Sequence, residues 1–267
     1  MSDRAERGRT RKIFVQRHGD TGGRRRPDEV IVEEPLSIQL DGTLVATTMR
    51  TPGNDYELAV GFLHAEGMLA GVPVTSIRYC ADGPALETEF NIVTVETAGL
   101  APTPSPRLGS TSSSCGLCGS DSIDELTNRL APIRAEPFDP QMLIEVADQI
   151  KAEQLLFAKT GAVHAAASFD RDGKIHLVRE DIGRHNAVDK IVGRMILDAQ
   201  EASSSPTSDL ALYVSGRASF EMIQKAWAGG FGTVVSVSAP SALAIDTAHA
   251  GGIQLAGFIR EGEINLY

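Results

Sequence analysis

Apolar and polar positions alternate through Val30-Ile31-Val32-Glu33-Glu34-Pro35-Leu36-Ser37-Ile38-Gln39-Leu40 and again through Thr43–Met49. Asp41-Gly42 lies between the two runs, a dipeptide suited to positive φ, so the pattern predicts an antiparallel hairpin. Pro35 predicts an edge position or a bulge. Asn54-Asp55 then caps a helix from about Tyr56 to Leu69, and strands follow near Val74–Cys80 and Glu89–Val95. Ser122 and Glu125 have capping-box spacing ahead of a short helix reaching Leu130. Asp139 and Pro140 supply an N-cap and a first-turn proline for a helix running to Phe157. From Gly161 onward short apolar runs alternate with helical periodicity. Strands are predicted at Val163–Phe169, Lys174–Val178, Leu210–Val214, Val234–Val237 and Ile253–Ile259. Helices are predicted at Asn186–Ala199, Phe220–Ala228 and Ala242–Ala250. Such alternation implies an α/β fold with a largely parallel sheet.

This pattern divides the 267 residues into four parts. Residues 1–27 form a basic arm expected to be disordered, and 28–98 a smaller β-rich subdomain with one helix. Residues 99–120 are a flexible linker with a Cys-x-x-Cys loop, and 121–267 the main α/β domain. Within residues 4–26 lie Arg4, Arg7, Arg9, Arg11, Lys12, Arg17, Arg24, Arg25 and Arg26, although the net charge is −10. An acidic body argues against general nucleic-acid binding. No apolar run approaches the roughly 20 residues of a membrane span, and no secretory signal is visible, so a cytoplasmic location and no membrane partner are expected. Three cysteines in a chain of this length do not make a disulfide framework.

Two of those cysteines stand in Ser112-Ser113-Ser114-Cys115-Gly116-Leu117-Cys118-Gly119, after the proline-rich Ala101-Pro102-Thr103-Pro104-Ser105-Pro106. A following helix N-terminus favours the thiolate form. A Cys₃His metal site would need Cys80 to converge on this loop, and a thioredoxin-like pair normally follows a strand directly. A persulfide carrier suits a pliable loop with small neighbours best, so Cys115 and Cys118 are the catalytic candidates and no metal is expected. His164 invites comparison with zinc deaminases, but Ala166 stands where their proton-transferring glutamate would be. Arg184 and His185 lie between a strand and a helix and could hold a phosphate. Ser215-Gly216-Arg217 and Ser238-Ala239-Pro240-Ser241 also end strands before helices, and Arg217 adds a fixed charge. Gly257-Phe258-Ile259-Arg260-Glu261-Gly262-Glu263 could stack a base, or be an edge strand.

Taken in order, Cys115-Gly116-Leu117-Cys118-Gly119, Thr160-Gly161-x-x-His164-Ala165-Ala166 and Glu180-Asp181-Ile182-Gly183-Arg184-His185-Asn186-Ala187-Val188-Asp189-Lys190 resemble the formate dehydrogenase accessory sulfurtransferase (FdhD) family. Ser215-Gly216-Arg217, Ser238-Ala239-Pro240 and Gly257-Phe258-x-Arg260 continue the resemblance, which covers nearly the whole chain from about residue 30. It implies a cytidine deaminase-like three-layer fold with helices flanking the sheet. It implies sulfur transfer from a cysteine desulfurase to bis-molybdopterin guanine dinucleotide, the molybdenum cofactor, before insertion into formate dehydrogenase. Cys115 would carry the persulfide, with Cys118 in support. Phe258, Ile259, Arg260, Glu261, Gly262 and Glu263 would lie at the guanine dinucleotide. A homodimer is one assembly open to such a protein. Two other functions stay open on sequence: a cofactor-binding chaperone without sulfur chemistry, and a thiol-disulfide oxidoreductase.

Overall fold

The computed structural model describes residues 8–19, 23–80, 90–103, 119–202, 209–260 and 262–267. Cys115, Cys118 and Glu261 lie outside them, and so does most of the expected 99–120 linker. The described residues form three sheets and seven helices.

The chain opens with an antiparallel ribbon, β1 (Thr10–Arg17) and β2 (Arg24–Ile31). The disordered arm expected at 1–27 is therefore corrected over these two strands. Charge density alone suggested a tail, yet Ile13, Phe14, Val15, Val30 and Ile31 supply enough β-forming side chains for a ribbon. A four-stranded sheet follows: β3 (Glu34–Leu40), β4 (Thr43–Arg50), β5 (Ser76–Tyr79) and β6 (Ile92–Glu96), in the order β4-β3-β6-β5. Asp41 (φ 46°) and Gly42 (φ 80°) make the predicted turn. Strand β3 is interior, not an edge. Pro35 is accommodated because pairing with β6 begins only at Ser37. Helix α1 (Asp55–Ala65) covers this sheet, burying Leu58, Ala59, Val60 and Leu63 against Leu36, Ile38, Val93 and Val95.

Helix α2 (Gly119–Arg129) begins before Ser122, so Ser122 lies within the helix and not at its N-cap. Helix α3 (Pro140–Ala152) starts as predicted, with Asp139 accepting from Met142 N at 3.1 Å. It ends early. A separate short helix, α4 (Leu155–Thr160), follows, because Glu180 reaches in to accept from Leu156 N and Phe157 N, both at 2.8 Å.

The larger sheet contains β7 (His164–Phe169), β8 (Ile175–Asp181), β9 (Ala211–Val214), β10 (Thr233–Ser236), β11 (Gln254–Arg260) and β12 (Glu263–Leu266). Their order is β12-β11-β10-β9-β7-β8. Only β9, β10 and β11 are mutually parallel; β7, β8 and β12 are paired antiparallel to their neighbours. The largely parallel sheet is thus corrected to a mixed one, since the Asp170–Gly173 turn folds β8 straight back on β7 and the turn at Gly262 does the same for β12. Helices α5 (Arg184–Glu201), α6 (Phe220–Ala228) and α7 (Ala242–Gly251) cover one face, and α3 covers the other. Alternation along β9 sends Leu212 and Val214 to the first core, and Ala211 and Tyr213 to the second. Helix α1 packs on α5, so the small sheet is stacked behind the large one.

Candidate functional site

Strand direction decides where the site lies. The parallel strands β9, β10 and β11 end at Val214, Ser236 and Arg260. Strand β7 runs the other way, so its first residue, His164, stands at that same edge, and register pairs it with Asp181 at the end of β8. The edge therefore collects His164, Arg184-His185, Ser215-Gly216-Arg217, Ser238–Ser241 and the Phe258 segment. Candidate groups scattered over almost 100 residues of sequence share one rim.

Most polar residues of the Glu180–Lys190 run are spent on holding this rim in place. Asp181 is fully buried and accepts from Lys190 Nζ at 2.7 Å, Gly183 N at 2.8 Å, Asn186 Nδ2 at 3.0 Å and Thr51 N at 3.1 Å. Asn186 also donates to Met49 O at 2.8 Å, tying α5 to the small sheet. Asp189 takes Lys225 Nζ at 2.7 and 2.9 Å, which fastens α5 to α6. Burial pushes Asp189 above and Lys190 below its ordinary proton affinity.

Arg184 and His185 remain for other work. His185 Nε2 lies 2.7 Å from Glu221 Oε2, close enough for an ion pair though poorly angled for a hydrogen bond. That contact holds the Glu221 carboxyl below its usual range. Arg184 differs: its Nε is buried with no hydrogen-bond partner among the described residues. Ser219, at the N-cap position of α6, makes no side-chain cap, and its Oγ is also buried without a partner. Two unsatisfied donors thus stand beside the N-terminal ends of α5 and α6, the kind of groups that can cradle an anion. Gly216 keeps this place open, because a Cβ there would stand 3.3 Å from Arg184 Cδ and 3.5 Å from His164 Nδ1.

His164 joins this cradle to a cleft of about 620 Å³ on the α3–α4 side. Lys151, Gln154, Phe157, His164, Tyr213 and Ser215 are among its lining residues. Ser215 Oγ accepts from Ala165 N at 2.9 Å and lies 3.3 Å from His164 Nδ1. Its hydroxyl hydrogen is therefore free to point at the imidazole. Burial, then the charges of Arg184 and His185, lower the proton affinity of His164 and keep it neutral near pH 7. Sequence reasoning did not single out Ser219, Glu221 or Tyr213. A serine ahead of a helix is too common a signal, and Tyr213 sits in an apolar run.

The Phe258 segment separates into different environments. Phe258 is half-buried in the left-handed region (φ 56°), where the register of β11 and β12 shifts. Its N–H donates to Ser238 O at 3.2 Å, which binds the segment to the neighbouring loop. Ile259 is buried in the core over α3, so its side chain supports the segment from below. Arg260, Gly262 and Glu263 are exposed, and Arg260 Cζ is 5.8 Å from the Phe258 ring centroid. Arg217 is exposed as well. Among the described residues, no cluster of three His, Cys, Asp or Glu side chains is placed to hold a metal ion. No described helix is long and apolar enough to cross a membrane.

Comparison with known proteins places the chain. A model of the FdhD/NarQ family matches residues 31–267. The chain belongs to the FdhD/NarQ family. A relative from Streptomyces coelicolor named Sulfur carrier protein FdhD is 45% identical over 267 residues, covering 96% of this chain and 92% of the relative. One of the same name from Corynebacterium efficiens is 42% identical over 252 residues, 91% and 90% of the two chains. A crystal structure from Desulfotalea psychrophila, described as a formate dehydrogenase accessory protein, superposes with a TM-score of 0.71 at 23% identity. It covers 96% of this chain and 95% of that one, so the family's fold is present here.

Proposed function

We propose that this protein is a cytoplasmic sulfur carrier that loads a persulfide on Cys115 and passes the sulfur to bis-molybdopterin guanine dinucleotide before that cofactor enters formate dehydrogenase. The observation that carries the reading is the anion cradle at the sheet edge: Arg184 Nε and Ser219 Oγ, both buried and unpartnered, in a chain whose relatives are named sulfur carriers. The cargo is rich in phosphate. Arg184, with His185 and Arg217 nearby, supplies charge for it, while Phe258 and Arg260 offer a ring and a planar cation to a guanine base. Helices on both faces of the larger sheet, with His164 at its edge, agree with a cytidine deaminase-like layering turned to another use.

The chemistry is thiolate exchange. Cys115 as thiolate attacks the terminal sulfur of a desulfurase persulfide; the new S–S bond forms on Cys115, and the desulfurase cysteine leaves as thiolate. In the release step Cys118 attacks Cys115 Sγ, forming the Cys115–Cys118 disulfide and expelling the terminal sulfur as sulfide. The two electrons come from the cysteine pair, and an external dithiol restores them. The test is to incubate the protein with a cysteine desulfurase and labelled cysteine, then count bound sulfur by intact mass. One labelled sulfur is expected on the wild type and on Cys118→Ala, and none on Cys115→Ala. A Cys115→Ala protein that still carries label and activates formate dehydrogenase ends the proposal.

A further inference from the structure

The cleft on the α3–α4 side differs in chemistry from the anion cradle. Its lining residues include no aspartate or glutamate, and Phe157, Val163, Ile182 and Val237 give it apolar walls. Lys151 is exposed and pairs with Asp148 at 3.5 Å, so its charge stays in solvent. The other polar groups are neutral. Tyr213 is buried, and its Oη accepts from Gln154 Nε2 at 3.5 Å, which leaves the phenolic hydrogen without an acceptor among the described residues. Burial raises the proton affinity of this phenol, so it keeps that hydrogen. His164 is oriented by Ser215. The serine oxygen accepts from Ala165 N at 2.9 Å and its hydrogen finds an acceptor in His164 Nδ1 at 3.3 Å. The proton of the neutral imidazole therefore sits on Nε2. Nε2 has no hydrogen-bond partner among the described residues, and the half-buried ring lines the cleft.

Neutral N–H and O–H donors between apolar walls suit an anion that is large, polarisable and weakly hydrated. Phosphate is the opposite case: its desolvation calls for a fixed cation, which Arg184 offers at the cradle and the cleft interior lacks. Sulfur anions have the first character. The release step written above expels the terminal sulfur of a persulfide, as the hydrosulfide ion when that sulfur carries its proton. An ion set free in this way diffuses off unless a site retains it. We propose that the cleft is a holding site for hydrosulfide, with His164 Nε2–H as its principal donor, Tyr213 O–H as a second, and Ser215 as the positioning residue that fixes the imidazole tautomer. The identity of the ion rests on the sulfur-carrier function proposed above; the donors themselves do not depend on Cys115.

Ring NMR of the full chain with isotope-labelled histidine tests it, in the Cys115→Ala/Cys118→Ala protein so that neither thiol reacts with the probe. If that double substitution unsettles the fold, the wild type alkylated with iodoacetamide carries the same titration. The His164 signal, assigned by its absence from His164→Gln, is expected to report the Nε2–H tautomer. Sodium hydrosulfide should shift it saturably, and inorganic phosphate should leave it in place. Ser215→Ala should mix the tautomers and weaken hydrosulfide binding roughly two- to tenfold, the range of one neutral hydrogen bond, and the isosteric Tyr213→Phe should weaken it by a similar factor. An Nδ1–H tautomer overturns the proposal, as does a His164 signal that ignores hydrosulfide or answers phosphate equally. Sulfur loading on Cys115 is read separately by mass. Loading without a hydrosulfide response at His164 removes the holding site alone, whereas a response in a protein that never loads keeps the site and removes the carrier.

Discussion

Lys190 Nζ donates to Asp181 Oδ2 at 2.7 Å with both side chains fully buried. Asp181 closes β8 two residues before the N-cap of α5, so this pair fixes where Arg184 emerges. Lys190→Met leaves a buried carboxylate without its counter-ion and is expected to destabilise the fold by about 3–5 kcal/mol. For a chain of this size that lowers the thermal midpoint by roughly 10 °C. Calorimetry measures it, and an unchanged midpoint would remove the pair from any organising role.

The stacking of small sheet on large sheet depends on two glycines. A Cβ on Gly193 would stand 1.8 Å from Glu57 O, and one on Gly61 would stand 1.9 Å from Asp189 O. The atoms in the way are backbone, so α1 and α5 must move apart to admit a methyl group. Gly193→Ala is expected to lose about 3 kcal/mol or more, despite alanine's better helix propensity. Chemical denaturation reads the loss. A more stable variant would mean that the helices do not cross this closely.

His164 makes the fold sensitive to mild acid. Its folded proton affinity is lowered by burial, then by Arg184 and His185. Below the ordinary histidine value of about 6.5 the unfolded chain takes up a proton that the folded edge resists, so stability falls with pH there. Above that value the contribution is fully restored. His164→Gln should reduce the loss in denaturation midpoint between about pH 7.5 and pH 5.5. An identical pH slope in the variant would show that His164 takes up its proton as readily folded as unfolded.

Legibility in the sequence followed the range of the forces involved. Asp41-Gly42, Asp139-Pro140 and the Phe220–Ala228 helix were readable because turn, cap and periodicity are local, and each stands as expected. The direction of β7 was not, although it decides that His164 shares a rim with Ser215; it follows from pairing across 45 residues of chain. The Glu180–Lys190 run was recognisable as important, yet nothing local separates Asp181 and Lys190, which are buried in a network, from Arg184, which is not. That division depends on Thr51 and Met49 arriving from the other sheet. The ribbon was misread because net charge is a weak guide to disorder when β-branched and aromatic residues are interleaved with arginine.

The anion cradle gives paired expectations of opposite sign. Arg184 offers an unmatched guanidinium nitrogen, and Glu221 places a carboxylate against the adjacent His185. With GDP as the probe, Arg184→Gln should weaken binding by roughly 10- to 100-fold, the range of a lost charge-assisted hydrogen bond. Ser219→Ala removes a neutral donor and should weaken it by less than tenfold or about so. Glu221→Gln keeps the shape, removes the nearby negative charge and releases His185, so binding should hold or tighten, most clearly at low salt. Isothermal titration on the three variants separates these cases. Equal weakening by Arg184→Gln and Glu221→Gln would mean that both act through folding, whereas opposite signs require an anion seated between α5 and α6.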